Sequence, residues 1–588
     1  MEIFDPSHDG FSSAHRELVL IGPPGTGKTR AVLDSWLKPA LASGLEAESV
    51  LGCSFTTAAA NEMRSRLAED SGLTFQSLRR ACKTIHSEAL RLARGSGALT
   101  ELFTETPKPS SPAGRAVLDE KLSGQVGLAD VGKTGTDDLG VAVMDAVEAE
   151  PAVSGWEHLA RPERELDAEA RRLWDIARNR YPQYGTDTAN IDPLLRKVLY
   201  LSDTAWGLPS LAAAVMEYEA SKRAAGQIDF TDMLRQALDI EPPSRRLVVV
   251  DEAQDLSPLQ IAVARRWGER ADQVVWVGDP DQGIYAFAGA DGSYLTGLIQ
   301  EGTPTRRLSK SWRVSSEAHG LARGLIRRNR DRVDAPYEAA EHEGEVTHHD
   351  WHEEVVDVVI AKKAPTMILA RSARQLAAYA RCLSDAGEPF VNERGPSPLQ
   401  APKRVRMLRA ILAIRRGTKL DVPMAKALVD ALPGRPKGLW FSRTKREAQE
   451  SLREQEEGAL IDATQLQEIG VQLTPLIDAG SAAQALSELK VAKCSELLRI
   501  VERHGEGALV LEPRILLTTI HAAKGRESDV VVVDLQAPLP TLREVERGEA
   551  ELQTERRVLY VALTRARRHL ALVHPANPGQ SLGVLLGL

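Results

Sequence analysis

The sequence predicts an α/β protein with two parallel-sheet cores, each carrying a mainly helical insertion. Strand, turn and helix follow one another in "ELVLIGPPGTGKTRAVLDSWL" and "VLGCSFTTAAANEMRSRL", and the order resumes after a helical stretch at "RRLVVVDEAQD" and "QVVWVGDPDQ". A second series of short apolar runs, "PTMILARS", "RILLTTIHAAKG", "DVVVVDL" and "HLALVHP", is likewise interrupted by helical sequence. At 588 residues the chain exceeds what one hydrophobic core organises. The first core is expected at 1–94 and 206–300 around an insertion at 95–205. The second is expected at 301–374 and 511–588 around an insertion at 375–510.

Composition narrows the class. Hydrophobic residues make up 43% and charged residues 27%, as in ordinary soluble proteins, and no apolar run reaches bilayer length. The first residues lack a basic region followed by an apolar stretch, so a cytoplasmic chain with no membrane partner is expected. Cys53, Cys82, Cys382 and Cys494 have no Cys-x-x-Cys spacing, which points to free thiols rather than a zinc site or disulfide framework. The net charge of −8 gives no global sign of nucleic-acid binding, but local distribution decides that question. Residues 101–150 hold ten acids and four bases, a loop composition that avoids phosphate. Arg306 to Arg332, Lys403 to Lys419 and Arg556 to Arg568 are basic, as either solvated helix faces or phosphate-binding strips.

Gly22, Pro23, Pro24, Gly25, Thr26, Gly27, Lys28 and Thr29 fit G-x-x-x-x-G-K-[ST] between a strand and a helix. There, backbone N–H groups wrap a triphosphate, the lysine reaches the β and γ phosphates, and the threonine ligates Mg²⁺. Asp251 ends the apolar run Leu247 to Val250, where a parallel sheet presents ligand-binding groups, and a bound metal would offset its charge. Glu252 is then positioned to accept a proton from water attacking the γ phosphate. Read alone, two acids after a strand also fit a helix N-cap with first-turn acids.

"VVVDEAQDLSPLQ" followed by "VGDPDQGIYAFAGAD" resembles motifs II and III of the superfamily 1 helicases, in the UvrD/Rep-like group. The other motifs keep that group's order: "SFTTAAANEM" resembles motif Ia, "TIHSEAL" Ib, "LSKSWRVS" IV, "TTIHAAKGRESDVVVV" V and "ERRVLYVALTRAR" VI, with "IDFTDML" preceding II. The resemblance implies two RecA-like P-loop core domains, ATP and Mg²⁺ as cofactors, and an ATP-dependent 3′-to-5′ DNA helicase. Its partners would be single-stranded DNA, duplex junctions and protein loading factors, with the chain a monomer or weak oligomer.

The same resemblance assigns roles. Gln282 would sense the γ phosphate, and Arg313 and Arg565 would reach it from the second core as arginine fingers. Glu527 would hold the ribose hydroxyl, while Trp312 and Arg30 sandwich the base. Phe55, Thr56, His86, Tyr285, Phe287 and His521 would touch the strand, the aromatics by stacking. The chain also departs from the family pattern. Its first glutamine is Gln76, so no adenine-reading glutamine precedes the phosphate loop. Ala58 and Ala288 stand where the family carries a lysine and an arginine, and Arg526 stands where leucine is commoner. The alternative reading is a single-strand translocase, or a nucleotide-dependent regulatory DNA-binding protein, without robust unwinding.

Overall fold

The computed structural model describes residues 16–71, 73–95, 101–102, 162–185, 187–202, 204–434, 439–456, 458–488 and 494–588. Most of the acidic segment 101–150 therefore lies outside the described residues. Two units make up the chain. The first comprises Met1–Val314, Arg323–Glu341 and Arg543–Val561, and the second Ser315–Ala322, His342–Leu542 and Ala562–Leu588.

The first unit holds a six-stranded sheet of β1 (Glu17–Ile21), β2 (Val50–Ser54), β3 (Cys82–Thr84), β4 (Leu247–Val250), β5 (Gln273–Gly278) and β6 (Thr305–Arg307). They lie parallel in the order β3-β2-β4-β5-β1-β6. Strand side chains alternate between faces, so neighbouring residues enter different cores. Val19, Ile21, Val248 and Val250 join one cluster, and Leu18, Leu20, Leu247 and Val249 the other. Burial on both faces explains why "LVVV" is continuously apolar.

Helix α1 (Lys28–Val32) leaves the loop after β1, and α2 (Thr57–Ser71) follows β2. The helical insertion is α3 (Pro162–Arg180), α4 (Ile191–Val198) and α5 (Leu208–Ala225), which share one core around Leu173, Trp174, Leu194, Leu211 and Val215. The expected boundary at 205/206 therefore moves, because α5 buries its apolar stripe in the insertion. Next come α6 (Phe230–Asp239) and α7 (Pro258–Gly268). A buried ionic cluster joins insertion to core: Arg178 and Lys222 each donate to Asp229 at 2.7 Å.

The second unit holds β7 (Glu345–His349), β8 (Thr366–Ala370), β9 (Phe390–Asn392), β10 (Ile515–Thr519), β11 (Ser528–Asp534) and β12 (Ala566–Val573). All are parallel, in the order β9-β10-β8-β11-β12-β7. Two expected boundaries are corrected here. Residues 305–307, expected in the second core, pair with β1 as the edge strand of the first sheet. Residues 375–401, expected in the insertion, supply β9, whose backbone pairs with β10. The insertion proper starts at α8 (Pro402–Arg415), which packs with α9 (Val422–Ala431) around Leu408, Ile411, Leu428 and Trp440. Helix α10 (Glu549–Leu563) precedes β12. Among the described residues no helix is long and apolar enough to cross a membrane.

Candidate nucleotide and nucleic-acid site

The phosphate loop runs from β1 into α1. Gly25 and Gly27 have φ of 76° and 81°, a left-handed conformation that a residue without Cβ adopts at no steric cost. A Cβ on Gly25 would also lie 2.5 Å from Ser311 Oγ and 2.6 Å from Arg313 Cβ. The loop is braced from behind: Ser311 Oγ and Tyr337 OH each donate to Pro24 O at 3.1 Å, and Trp312 N–H donates to Gly25 O at 2.8 Å. Thr26 Oγ1 donates to Pro23 O at 2.8 Å, and Lys28 Nζ turns back onto Gly22 O at 2.7 Å.

Asp251 follows β4, 2% exposed. Thr29 Oγ1 donates to its Oδ2 at 3.3 Å and the Glu252 N–H to its Oδ1 at 2.9 Å. Burial, then the neighbouring Glu252 charge, pushes its carboxyl up to about 7, against the pull of Lys28. Glu252 itself is held at φ 54°, ψ 40°, a region that costs a non-glycine residue about 1–3 kcal/mol. Gln254 helps to hold it there, donating from Nε2 to Glu252 Oε2 while its Oε1 accepts the Asp279 N–H at 3.0 Å. Gln254 reaches that far because residue 278 is glycine; a Cβ there would sit 2.1 Å from Gln254 Oε1. Gln282 Nε2 donates to Asp279 Oδ2 at 2.7 Å, which orients its amide.

These residues fit a triphosphate with a hard divalent cation. Lys28 and the loop amides would meet the phosphates, while the Thr29 hydroxyl and the Asp251 carboxylate, disfavoured as an anion by burial, would offer the oxygen donors Mg²⁺ takes from a protein beside substrate phosphates. When bound, the cation supplies charge neutralisation at the phosphates.

A row of aromatics sits in the same unit. Phe55 and Tyr285 have ring centroids 5.1 Å apart, and Tyr285 and Phe287 5.9 Å. Phe287 is 37% exposed. Thr56 caps α2, its Oγ1 accepting the Ala59 N–H at 3.2 Å. His86 packs edge-on against Phe230, and burial pushes its imidazole down to about 4, which makes it a neutral group near pH 7. Trp312 is 67% exposed with Lys310 Nζ 5.0 Å from its ring centroid, and Arg30 is exposed and paired with Asp34.

One expectation is corrected outright. Arg313 belongs to the first unit, beside Gly25, and does not come from the second core. Chain position after "LSK" misled here, because the first unit extends to Val314 through β6. In the second unit Arg565 is 1% exposed, donating to Arg526 O at 3.3 Å and Thr564 Oγ1 at 3.2 Å. His521 is buried there too, and Glu527 pairs with Arg567 at 2.6 Å. Arg526 pairs with Glu393 at 2.6 Å, which accounts for an arginine in place of leucine. Sequence reasoning passed over Gln254 and Asp279, although both stand inside the quoted motifs. Tyr337 carried no signal, because 313 residues separate it from Pro24.

This loop, acid pair and aromatic row define a nucleotide-driven motor of the helicase class. Residues 8–301 match the UvrD/REP helicase N-terminal domain, and residues 441–575 the UvrD-like helicase C-terminal domain. The chain belongs to the UvrD/Rep helicase family, and its two parallel-sheet cores are the RecA-like domains of that family. It is similar to proteins of Mycobacterium tuberculosis and Mycobacterium bovis named ATP-dependent DNA helicase UvrD2, each 29% identical over 97% of this chain and 79% of the relative. It is also similar to DNA helicase II of Rickettsia typhi, 24% identical over 65% of this chain and 70% of the relative.

Proposed function

We propose that this chain is an ATP-driven, Mg²⁺-dependent DNA helicase that translocates 3′ to 5′ on single-stranded DNA. The observation that carries the reading is the gathering of Lys28, Thr29, Asp251, Glu252 and Gln282 at one end of the first sheet. Lys28 holds the β and γ phosphates, Thr29 and Asp251 hold the cation, and Glu252 takes the proton of the attacking water. Arg313 contacts the phosphates from the first core and Arg565 from the second, and Trp312, Arg30 and Glu527 hold the nucleoside. ATP binding closes the two cores and hydrolysis reopens them, so that Phe55, Thr56, His86, Tyr285, Phe287 and His521 alternate their grip on the strand. Polarity rests on the "HAAKGRE" form of motif V. The helical insertions engage duplex junctions and loading partners, and the protein acts in the cytoplasm as a monomer or weak oligomer.

The alanines at 58 and 288 favour a second reading, a single-strand translocase with a light grip and weak unwinding. Both readings are tested by hydrolysis of ATP, GTP and CTP with and without single-stranded DNA, alongside unwinding of 3′- and 5′-tailed duplexes. DNA-stimulated hydrolysis with unwinding of the 3′-tailed duplex supports the first reading, and translocation without strand separation the second. Undiminished DNA-stimulated hydrolysis by Glu252→Gln overturns the mechanism.

A further inference from the structure

Arg332 lies in the basic run Arg306 to Arg332, outside every motif quoted above, yet it has a specific buried partner. Its guanidinium forks onto Asp281, with Nε 3.3 Å from Oδ1 and 3.1 Å from Oδ2, and Nη2 2.7 Å from Oδ2. Its third nitrogen, Nη1, donates to Asp334 at 3.0 Å. Asp281 sits in the turn that carries Gln282. The Asp281 N–H donates to Asp279 Oδ1 at 3.1 Å, and the other oxygen of Asp279 accepts the Gln282 amide at 2.7 Å. A bidentate fork fixes orientation as well as distance, so Arg332 sets the attitude of that turn.

The loop bearing Arg332 is held in turn by α10. Gln553 O accepts Asn329 Nδ2 at 2.9 Å, and Gln553 Oε1 accepts the N–H groups of Arg330 at 2.7 Å and Asp331 at 3.2 Å. Arg557 Nη2 donates to Asp331 Oδ1 at 2.8 Å. All of these groups belong to the first unit, and the chain of α10 runs on from Val561 to Arg565.

The geometry points to Arg332 as a positioning residue that locks the Asp279–Gln282 turn to α10, so that phosphate sensing and the helix leading to Arg565 shift together. This rests on the reading of Gln282 as the γ-phosphate sensor. Asp281 faces Asp279 from its own turn, Arg332 with Asp334 from the loop, and Arg557 and Tyr560 from α10. Burial and Asp279 push the Asp281 carboxyl up to about 6, while Arg332 and Arg557 oppose them. Removing Arg332 raises it further, and a protonated Asp281 loses its charged fork.

The test measures ATP hydrolysis by the full chain, with and without an oligothymidylate, in Arg332→Gln, Arg332→Lys, Asp281→Asn and the Arg332→Gln/Asp281→Asn double variant. Arg332→Gln is expected to lower DNA-stimulated kcat about tenfold or more, with the KM for ATP within about twofold. Arg332→Lys restores little, since an ammonium cannot fork. The part of the acid limb of the kcat profile that comes from protonation of Asp281 breaking the fork is expected to disappear in both Arg332→Gln and Asp281→Asn, because neither variant has a charged fork left to lose. The double variant loses no more than Asp281→Asn alone. Gln553→Ala, which leaves the fork intact but removes the Oε1 contacts of α10 to the Arg330 and Asp331 N–H groups, serves where Arg332→Gln does not fold, and a smaller loss of the same sign is expected. An unchanged DNA-stimulated kcat and pH profile in these variants overturns the inference, whereas a wild-type enzyme without DNA-stimulated hydrolysis overturns the functional reading beneath it.

Discussion

Asp251 and Asp279, at strand ends of the first sheet, meet neutral donors, whereas Glu388 and Glu393, which flank β9 in the second, meet guanidinium groups. Asp251 and Asp279 are held by a threonine hydroxyl, backbone N–H groups and the Gln282 amide, and burial pushes both carboxyls up. Glu388, just before β9, takes Arg514 at 2.6 Å and His504 at 2.9 Å, while Glu393, just after it, takes Arg526 at 2.6 Å. Burial disfavours the ionised forms of Asp251 and Asp279, whereas Glu388 and Glu393 are neutralised by arginines of their own unit. The lesson is that one parallel scaffold serves two tasks. On the function proposed above, the first end would receive a metal and triphosphate, and Arg565 would serve as the second unit's contribution to hydrolysis.

The largest expected effect tests whether that second end takes part in the reaction at all. Arg565→Ala should lower DNA-stimulated kcat by about three orders of magnitude or more, the range of an arginine finger; steady-state hydrolysis measures it, and a loss below about tenfold would remove Arg565 from the reaction. The next comparison makes the same chemical change at both ends. Glu388→Gln leaves Arg514 and His504 facing a neutral amide and should cost about 2–4 kcal/mol in a denaturant titration. Asp251→Asn removes a buried carboxylate disfavoured when ionised and should stabilise the nucleotide-free protein at pH 8, by about 1–2 kcal/mol. Equal signs for the two would dissolve the contrast drawn here.

A pH series sharpens the point. The folded-state pKa of Asp251 is raised, so its ionised form weakens the fold as pH rises from the ordinary carboxylate range through about 7. The stability advantage of Asp251→Asn should therefore shrink towards zero below that window. Glu88 gives the opposite trend. Burial pushes it up, but the Arg91 hydrogen bonds and the charges of Lys83 and Arg245 outweigh that and bring it down to about 2. Its contribution is present above the ordinary carboxylate range and is lost as pH falls towards 2. The smallest effect concerns the aromatic row: Ala288→Arg should tighten single-strand binding and steepen the slope of log K against log salt by about 0.7. An unaltered slope would mean that residue 288 contacts no phosphate.

Much of this was legible in the sequence because the signals are local. The phosphate loop requires glycines and a Lys-Thr pair at fixed spacing, and a doubly buried strand is apolar throughout, so β1, β4 and the residues flanking them announced themselves. The row formed by Tyr285 and Phe287 was readable as well, from two aromatics at alternate positions in one segment. Boundaries were less legible. Strand β6 reads "TRR", polar because it is an edge strand, and β9 has only three residues, so neither stood out from its surroundings.

What the sequence determined by itself was chemistry carried within a few consecutive residues: the loop that wraps phosphate, the acid pair, the order of the motifs and hence the class of the protein. Tertiary structure alone decided which distant side chains meet. Tyr337 comes to brace Pro24, Arg332 to fork onto Asp281, Arg526 to pair with Glu393, and Arg313 to join the unit of the phosphate loop. The reason is physical. Local spacing fixes backbone conformation and hydrogen-bonding partners one turn away, whereas contacts across tens or hundreds of residues depend on which apolar faces pack together, and no short stretch of sequence encodes that.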